Sequence, residues 1–450
     1  MSIESPAGSA RGRVVVIGAG IAGLAAAFRL DAAGIDVTVL EQSDRVGGRI
    51  MTVERNGYVI DAAASVLPTT YRRTLRLIND AGLADSVLPA CDVLGIAGLD
   101  RVHHLRSRRR TDLLTTRLLG IRTKAAFTRV LGDLHRYRQV LTDPSTAAAA
   151  DLDVETIEEY ARRVLPQEAL DLFIQPLVSD FYLTPPQDLS VVNLFLLLKT
   201  MMGARFLNSP DGMRFLPDGL ARRLHIELSA TATSVESTGG QAVVTWERPG
   251  GIEHIEQVDG VIVAVPAVGV SSLLPQLADG QRDFLKNVTY ARSMVVALTL
   301  TRQPAENAMW LTVPDSTDPD VNVMILDHNK MPGRVPAGRG LVTVYWHRNW
   351  AARCWDLDDE TVLHRAVAAA QRVLPEIEGN LEAGYVWRWD PCTVARPVGQ
   401  FRALAAFAAG HDPSDPIQLA GDYFAITTVD SSVTSGERAA ARLIAQLRYQ

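Results

Sequence analysis

The stretch RVVVIGAGIAGLAAAFRLDAAGIDVTVLEQ, residues 13–42, has the pattern of a strand, a glycine turn, a helix and a second strand. Val14 to Ile17 form a continuous β-branched run, as expected of a strand that is buried on both faces. Gly18, Gly20 and Gly23 follow at G-x-G-x-x-G spacing and lead into a helix rich in Ala and Leu. This order predicts a dinucleotide-binding unit of the Rossmann type, and therefore an α/β fold.

Each glycine of this motif has its own structural task. Gly18 permits the tight turn, Gly20 lets the backbone approach a pyrophosphate, and Gly23 lets the helix pack closely on the strand. The N-terminus of the helix supplies unpaired N–H groups and the positive end of the helix dipole. Ile21 and Ala22 are therefore predicted to contact the cofactor together with the glycines.

An acidic residue ends the second strand. A carboxylate at Glu41 can accept hydrogen bonds from ribose hydroxyls and would repel a 2′-phosphate, so NADP is disfavoured. Gln42, the next residue, is predicted to lie beside the cofactor as well. The motif alone does not separate NAD from FAD.

The run EQSDRVGGRI, residues 41–50, decides between the two. Gly47 and Gly48 permit a close backbone approach, and Arg49, with Arg45 nearby, can complement a second pyrophosphate charge. The run resembles the GG-R loop of FAD-binding oxidoreductases that include flavin amine oxidases, protoporphyrinogen oxidases and phytoene desaturases. This resemblance implies FAD, and a glutathione-reductase-like FAD-binding domain with an interleaved α+β substrate domain.

A second strand-to-helix turn, LAGDYFAITTVDSSVTSGERAA, occupies residues 419–440 and resembles the C-terminal FAD-binding turn of the same family. By this resemblance Gly421 permits close backbone approach, and Asp422 lies near the pyrophosphate or the ribityl chain. The following helix is predicted to start near Ser431, with Asp430 as its N-cap.

That helix is expected to direct its positive end at the N1–C2 edge of the flavin, where negative charge gathers on reduction. Ser431, Ser432 and Val433 are therefore predicted to contact the cofactor. The family usually has Gly-Ala where this chain has the two serines. Their hydroxyls are interpreted either as helix caps or as groups that tune the flavin.

The resemblance also predicts how the domains are divided. The FAD-binding domain is discontinuous, and its parts are residues 1–84, 211–290 and 411–450. The substrate domain comprises residues 85–210 and 291–410, with a helical roof over a mixed sheet. In the middle part of the FAD domain, Ala232 is expected to offer backbone groups to the adenine.

Composition limits the partners of this 450-residue chain. Its 45 Lys and Arg against 51 Asp and Glu give a net charge of −6, which argues against a protein that binds nucleic acid by neutralising phosphates. The three scattered cysteines suit a reducing compartment and form no metal-ligand spacing. The N-terminus lacks the apolar run of a signal peptide, and no stretch is apolar for the ~20 residues that a membrane helix needs. The sequence therefore predicts a cytoplasmic protein with a small-molecule substrate.

The run RVHHLRSRRR, residues 101–110, is strongly basic. It can be a solvated face, the entrance for an acidic substrate, or a surface that contacts an anionic membrane. A peripheral membrane contact is thus left open, and the sequence does not indicate an oligomeric state.

The residues expected near the substrate depart from the amine-oxidase pattern. Flavin amine oxidases usually carry a Lys in the first strand of the substrate sheet, where this chain has Val296 or an apolar neighbour. The two aromatic positions that flank the amine correspond to Thr393 and Thr428. Thr428 is nevertheless a candidate substrate contact because of this position.

The segment VWRWDPCTVARPVGQF, residues 386–401, resembles protoporphyrinogen oxidase more closely, since Trp389, Cys392 and Gly399 have the spacing of that branch. Arg396 is a candidate partner for a substrate carboxylate or the flavin edge. Trp389 either packs the sheet or contacts the substrate. The context of Cys392 differs from the amine-oxidase attachment motif, so FAD is predicted to be bound non-covalently.

These features predict an enzyme, an FAD-dependent oxidase or dehydrogenase that desaturates a C–C or C–N bond of a small organic molecule, such as one of specialised metabolism. Hydride passes to flavin N5, oxygen is the expected acceptor, and the sequence identifies no catalytic residue. Three alternatives stay open: an amine oxidase acting on an unusual amine or amide, a redox-neutral isomerase or cyclase with FAD, and a member of the fold that has lost the cofactor.

Overall fold

The computed structural model describes residues 12–109, 111–143, 145 and 147–449. Two parts of the sequence interpretation, the N-terminal residues 1–11 and the basic residue Arg110, lie outside the described residues.

The strands belong to two large sheets and three smaller ones. In chain order they are β1 Arg13–Ile17, β2 Asp36–Glu41, β3 Thr52–Arg55, β4 Tyr58–Asp61, β5 Leu67–Pro68, β6 Leu88–Pro89, β7 Val93–Ala97, β8 Val102–Arg106, β9 Phe206–Asn208, β10 His225–Leu228, β11 Thr231–Thr238, β12 Gln241–Arg248, β13 Ile252–Val258, β14 Gly260–Val263, β15 Tyr290–Leu300, β16 Trp310–Thr312, β17 Val321–Leu326, β18 Gly340–Trp346, β19 Leu381–Val394 and β20 Ile417–Leu419.

The helices cover the sheets and connect them. They are α1 Ile21–Ala32, α2 Arg72–Asp80, α3 Asp112–Thr115, α4 Ile121–Tyr137, α5 Ala147–Ala150, α6 Ile157–Val164, α7 Gln167–Ala169, α8 Gln175–Tyr182, α9 Val191–Met201, α10 Phe215–Ala221, α11 Ala267–Leu273, α12 Asp279–Lys286, α13 Asp327–Lys330, α14 Arg348–Cys354, α15 Asp359–Val373, α16 Gln400–Ala409 and α17 Val429–Tyr449.

The first large sheet is parallel, with the strand order β10-β2-β1-β14-β20. Its central strand β1 is apolar at every position after Arg13, because helices or strands cover both faces of a parallel sheet. Val14 and Val16 pack on the side of α1 and α17, whereas Val15 and Ile17 face the core that contains the antiparallel sheet β11-β12-β13. The predicted Rossmann unit is therefore confirmed.

Helices α1 and α17 approach each other at the backbone. A Cβ atom on Gly436 would lie 2.0 Å from the carbonyl oxygen of Ala22, so no residue other than glycine fits there without a shift. Arg29 of α1 reinforces the contact, since its Nε and Nη2 donate to Glu437 at 2.8 and 2.6 Å. The first and last helices of the fold thus form one packed pair.

The second large sheet has the order β19-β15-β18-β17-β16-β7-β8. Residues that lie opposite each other in an antiparallel pair of strands have their side chains on the same face of the sheet. One face of this sheet therefore carries the side chains of the pairs Ser293–Trp389, Val295–Tyr345, Val323–Tyr345 and Thr312–Val323. We call this side the inner face. It consists of Ser293, Val295, Trp310, Thr312, Val323, Tyr345, Trp387 and Trp389.

The prediction of a helical roof over residues 85–210 needs a correction. β7 and β8 lie within that range and extend the second sheet, and β8 contains most of the basic run. β8 is short and pairs only with β7 at the edge of the sheet. Its side chains are exposed or half-buried there, and its sequence lacks the alternation of apolar and polar residues that marks a half-buried strand.

Candidate active site

The ends of four neighbouring strands meet at the carboxyl edge of the parallel sheet. β1 ends before Gly18, β2 ends at Glu41, β14 ends before Ala264, and β20 ends before Gly421. In open α/β sheets ligands bind outside the carboxyl ends of the strands. The two glycine turns recognised in the sequence therefore lie at the same edge, on opposite sides of β14.

The glycine turn after β1 leaves room above its backbone. Gly18 has a φ of +101°, and a Cβ there would lie 2.9 Å from the oxygen of Ala264. A Cβ on Gly23 would lie 1.9 Å from the oxygen of Gly18, whereas one on Gly20 would meet nothing within 4 Å. Gly18 and Gly23 are thus required by the fold, and Gly20 borders open space.

The GG-R loop lies against this turn. The N–H of Gly47 donates to the oxygen of Ala19 at 2.8 Å, and Gly48 stands close enough to Gly20 that a Cβ on it would lie 3.4 Å from the Gly20 Cα. Arg45 holds the loop by donating from Nη2 to the oxygen of Gly48 at 2.9 Å. The glycines of both loops therefore border the same cradle.

Glu41 is buried at the end of β2, with its carboxylate turned to the glycine turn. Oε2 accepts from the N–H of Ala19 at 2.8 Å, and Oε1 accepts from the N–H and the hydroxyl of Ser43 at 2.9 and 2.6 Å. The main-chain N–H of Ala230 donates to the Glu41 carbonyl at 2.9 Å, which places β11 and Ala232 beside this end. Gln42 is exposed.

Asp422 anchors a polar cluster at the second turn. Its Oδ2 accepts from Arg49 Nη1 at 2.7 Å and from Thr427 Oγ1 at 2.9 Å, and Oδ1 accepts from the hydroxyl of Tyr290 at 3.2 Å. Burial alone would raise the pKa of Asp422, but Arg49 and these hydrogen bonds outweigh it and hold the pKa below its usual range. Arg49 also donates to the carbonyl of Cys392 at 2.5 Å.

The cluster joins the two FAD motifs directly. Arg49 of the first motif pairs with Asp422 of the second, so its predicted contact with the pyrophosphate stays a prediction. Tyr290, which the sequence analysis missed, links Asp422 to the N–H of Ala267 at the start of α11. No local pattern marks Tyr290, because its partners are remote in the chain.

The start of α17 differs from the prediction. The helix begins at Val429, and its first turn is capped by Thr428, whose Oγ1 accepts from the N–H of Ser431 at 3.0 Å. Asp430 is not the N-cap, because its Oδ1 accepts from the N–H and hydroxyl of Thr74 in the first turn of α2, at 2.8 and 3.0 Å. Ser432 and Val433 are buried along the same helix. The predicted substrate contact of Thr428 stays a prediction.

The segment after β4 and the roof helix α8 lie over the inner face, and we call the region between them the cleft. Trp389 donates from Nε1 to the oxygen of Ala62 at 2.8 Å, and the Tyr345 hydroxyl donates to the oxygen of Ala63 at 2.5 Å. The segment after β4 therefore forms one wall of the cleft. The roof helix α8 forms another, since Asn322 Nδ2 donates to the oxygen of Ser179 at 2.9 Å.

Val296 does not face this cleft. It lies on the opposite side of the sheet, in the core that includes Trp350 and Ala351 of α14. The inner-face residues of β15 nearest to Trp389 and Tyr345 are Ser293 and Val295, as their register shows. Val295, an apolar neighbour of Val296, therefore lies on the inner face, and its correspondence to the lysine position of amine oxidases stays a prediction.

Two further residues of the predicted site have structural partners. Burial raises the pKa of Cys392 to about 11, although Arg49 opposes this, so the thiol is protonated at neutral pH. Arg396 is 1% exposed. It donates from Nε to the oxygen of Ala425 at 2.7 Å and from Nη2 to the oxygen of Tyr423. Arg396 holds the loop before α17, and its predicted contact with a substrate carboxylate or the flavin edge stays a prediction.

The described part of the basic run borders a shallow pocket at the sheet edge, with a volume of about 380 Å³. His104 of β8 donates from Nε2 to Glu306 Oε1 at 2.8 Å, and Arg108 lies 3.5 Å from Asp92. The run lies at the edge of the sheet opposite to β19. It therefore does not line the cleft at Trp389.

The residues of the cradle fit a bound FAD. Open space borders Gly20, the N-terminus of α1 has no side-chain cap, and the buried carboxylate of Glu41 stands beside the turn. Among the described residues, no group of His, Cys, Asp and Glu side chains could hold a metal ion. In the same part of the chain, no helix is long and apolar enough to cross a membrane. The fold and the site define an FAD-dependent oxidoreductase.

Comparison with known proteins gives the family. The chain belongs to the flavin-containing amine oxidoreductases, whose family model matches residues 21–444. It is 24% identical to coproporphyrinogen III oxidase of Bacillus subtilis over 86% of this chain and 88% of that one. It is also 24% identical to protoporphyrinogen oxidase 2 of Arabidopsis thaliana, over 66% of this chain and 66% of that one. A solved structure of an engineered putrescine oxidase matches with a TM-score of 0.77 and 21% identity, over 96% of this chain and 99% of that one. The predicted family, fold class and cofactor are confirmed.

Replacing Asp422 with alanine should weaken FAD binding about threefold to tenfold. The carboxylate orients Arg49, Thr427 and Tyr290, and losing a typical hydrogen bond costs about 0.5–1.5 kcal/mol. The FAD dissociation constant is measured by fluorescence titration of the apoprotein. The exposed Asp100 supplies a control, since Asp100→Ala should leave the constant unchanged. Equal FAD affinity of Asp422→Ala and wild type would remove the role assigned to this cluster.

Proposed function

We propose that this protein is an FAD-dependent oxidase or dehydrogenase that desaturates a C–C or C–N bond of a small organic molecule. FAD supplies the hydride acceptor, N5 of the flavin. The substrate loses a hydride from one carbon and a proton from the adjacent C–H or N–H group to solvent, and a double bond forms between the two atoms. Dioxygen, the proposed terminal acceptor, takes the two electrons and two protons and becomes hydrogen peroxide.

The inner face of the second sheet carries this proposal. β15 has the sequence YARSMVVALTL, and it presents Ser293 and Val295 to the cleft instead of a lysine. Thr393, at one of the aromatic positions of amine oxidases, donates its hydroxyl to the oxygen of Tyr182 at 2.8 Å. The relatives named as porphyrinogen oxidases support the same branch.

We assign two side chains of the cleft a positioning role, and no residue is assigned as the proton acceptor. Trp389 and Tyr345 fix the segment after β4 through its carbonyl groups. Because burial raises the pKa of the Cys392 thiol and keeps it protonated at neutral pH, we propose that it does not attack the flavin. FAD is accordingly proposed to be bound non-covalently.

The cofactor contacts predicted from the sequence are proposed for this function. They are Gly18, Gly20, Ile21, Ala22, Gly23, Glu41, Gln42, Arg45, Gly47, Gly48, Arg49, Ala232, Gly421, Asp422, Ser431, Ser432 and Val433. The division into an FAD-binding domain (residues 1–84, 211–290 and 411–450) and a substrate domain (residues 85–210 and 291–410) is proposed with them. The position of the second sheet on residues 93–106 and 290–394 supports this division.

Anaerobic mixing of the FAD-loaded protein with candidate substrates tests the reaction class. We expect a porphyrinogen or a partly saturated polyene to bleach the flavin absorbance, and admission of air to restore it with one hydrogen peroxide per turnover. Bleaching by amines alone would overturn the preference for the desaturase reaction. Turnover of a substrate without any acceptor would show a redox-neutral enzyme instead.

Amine oxidation is the second candidate, because one acidic side chain of the cleft lacks a cation. Asp180 of the roof helix α8 accepts hydrogen bonds from Trp310 and Thr312 of the inner face. The amine panel of the same experiment tests this alternative.

A further inference from the structure

The shallow pocket beside β8 is a cavity that the proposed function does not use. It lies between β8, the last strand of the second sheet, and the segment that contains α3, and its volume is about 380 Å³. This volume is within the range of small-molecule sites. We call the cavity the basic pocket. The charged and titratable side chains that line it are Arg101, His103, His104, Arg106, Asp112 and Arg117.

The chain around the basic pocket is rich in positive charge, although the protein as a whole is acidic. Residues 101–124 contain seven Arg and one Lys against a single acidic residue, Asp112, whereas the complete chain has a net charge of −6. Like charges that lie close together repel one another and destabilise the compact state. A bound anion would relieve this repulsion, so the concentration of cations on one edge of the sheet suits an anionic ligand.

Two arginines of the basic pocket have no acidic partner. In the part of the chain that the structure describes, no carboxylate lies within ion-pair distance of the guanidinium groups of Arg106 and Arg117. Arg101 lies 3.7 Å from the exposed Asp100, which is longer than a charge-assisted hydrogen bond. Asp112 uses its Oδ2 to accept the main-chain N–H of Arg106 at 3.0 Å. The guanidinium groups of Arg106 and Arg117 are therefore free to bind a ligand.

The free edge of β8 adds a main-chain donor. The N–H of Arg106 points to Asp112 and not to β7, so it lies on the outer edge of the strand. In an antiparallel pair, residues that face the partner strand with their N–H groups alternate with residues that face away from it. The N–H of His104, two residues earlier, therefore also lies on the outer edge. Arginine forks and free main-chain N–H groups are the donors that bind phosphate oxygens in proteins.

The charges of the lining favour an anion with more than one negative charge. Burial and then the neighbouring charge of Arg101 lower the pKa of His103, as a positive environment does to an imidazole. The cations of the pocket at neutral pH are therefore the arginines. A phosphate monoester carries about −1.5 to −2 charges near pH 7 and has three acceptor oxygens, whereas a carboxylate carries one charge on two oxygens.

We infer that the basic pocket binds a phosphate group, whose oxygens accept hydrogen bonds from Arg106 and Arg117 while Arg101 adds positive charge. The pocket lies at the edge of the sheet opposite to β19 and does not line the cleft at Trp389. The inference therefore does not depend on the proposed function.

The phosphate group can belong to a soluble phosphorylated molecule or to a phospholipid headgroup. Leu99, Leu114 and Ile121 lie in the chain on either side of the lining residues and are 83%, 68% and 85% exposed. Apolar side chains beside basic ones enter the surface of an anionic membrane, but they contribute nothing to the binding of a soluble phosphate. The two sources share the same chemistry in the pocket, and the experiment has one arm for each.

Inorganic pyrophosphate tests the site in solution. It is titrated by calorimetry into the full-length protein loaded with FAD, so that the cofactor site is filled, and acetate is the comparison anion at the same ionic strength. We expect pyrophosphate to bind at least about 10-fold more tightly than acetate. Arg106→Gln and Arg117→Gln should each weaken pyrophosphate binding about 10-fold, the lower end of the range for a hydrogen bond to a charged group, because both side chains are exposed.

Arg162→Gln is the matched control. It removes the same charge from α6, where the exposed Arg162 pairs with Glu158 at 2.7 Å, and it should bind pyrophosphate as the wild type does. Exposed side chains contribute little to stability, so the variants are expected to fold, and circular dichroism checks this. If one pocket variant does not fold, the other carries the test.

Sedimentation with vesicles distinguishes the two sources. Vesicles of phosphatidylcholine with phosphatidic acid are compared with vesicles of phosphatidylcholine alone. Binding of pyrophosphate without retention on the vesicles would assign a soluble phosphorylated ligand. Retention that needs phosphatidic acid and is reduced by Arg106→Gln and Arg117→Gln would assign a phospholipid headgroup.

Three results would overturn the inference. The first is that neither pyrophosphate nor the vesicles with phosphatidic acid bind. The second is binding that Arg106→Gln and Arg117→Gln both leave unchanged. The third is equal affinity for acetate and pyrophosphate without retention on the vesicles, which would show a weak anion site with no preference for phosphate.

Discussion

Asp61→Asn should lower the free energy of unfolding by about 3–5 kcal/mol, the range for removing one partner of a buried ion pair. Asp61 ends β4 and is fully buried with Asp327, Lys330 and Arg334. Its Oδ2 lies 3.1 Å from Lys330 Nζ and also pairs with Arg334 Nη2. Lys330 Nζ lies 2.5 Å from Asp327 Oδ1. We call these four residues the buried ion cluster.

The buried ion cluster joins two parts of the fold that are remote in sequence. Oδ1 of Asp61 accepts from Thr52 Oγ1 at 2.7 Å and from the N–H of Met213 at 2.9 Å, and the two cations belong to the segment around α13. With asparagine at position 61, two buried cations would face the single carboxylate of Asp327. The cost comes mainly from this uncompensated charge, because the amide keeps the shape of the carboxyl group.

Urea unfolding followed by circular dichroism measures the effect. Glu158→Gln is the matched control, since Glu158 and Arg162 form an exposed i,i+4 pair at 2.7 Å that should contribute below about 1 kcal/mol. A loss below 1 kcal/mol for Asp61→Asn would contradict the assignment.

The buried ion cluster also predicts that the free energy of unfolding falls when the pH is lowered. Burial alone would raise the pKa of Asp61, but Arg334 and Lys330 outweigh it and hold the pKa below its usual range. The carboxylate therefore contributes its full stability above the unfolded pKa, near 4. This stability is lost as the pH falls through the lower native pKa, and Asp61→Asn should lack that part of the pH dependence.

Gly20→Ala should weaken FAD binding while the protein still folds. Gly20 has φ −68° and ψ 170°, which alanine adopts without strain, and a Cβ there meets no atom within 4 Å. If the pyrophosphate approaches this backbone, the added methyl group overlaps it. Overpacking costs about 1–3 kcal/mol, so we expect FAD affinity to fall about 5- to 150-fold.

The comparison with a second glycine makes this result specific. Gly280 of α12 also has open space where a Cβ would stand, and Gly280→Ala should leave FAD affinity unchanged. Fluorescence titration with FAD measures affinity, and thermal unfolding of the apoprotein shows that Gly20→Ala folds. Wild-type FAD affinity in a folded Gly20→Ala variant would show that the cofactor does not lie over this turn.

Features of the fold that depend on neighbouring residues could be predicted from the sequence, and features that depend on residues far apart in the chain could not. The strand, turn and helix at residues 13–32 are specified by adjacent residues, and the cofactor motif was therefore predictable. The buried ion cluster and the Asp422–Arg49 pair join residues hundreds of positions apart, and no local pattern marks them. Edge strand β8 lacked the alternation that identifies a strand. A weak signal did exist for Asp180, the one acid within the apolar run LFIQPLVSDFYL, residues 172–183.

The backbone contact of α1 with α17 has a consequence for biosynthesis. The Arg29–Glu437 pair that accompanies it joins residues 408 positions apart. At about 5–20 residues per second, a ribosome needs roughly 20 to 80 seconds to make that stretch. The first helix emerges long before its partner, and the cradle for FAD can close only when the final helix has left the ribosome. Until then the surface of α1 that packs on α17 stays uncovered, and we expect FAD loading to follow the synthesis of this helix.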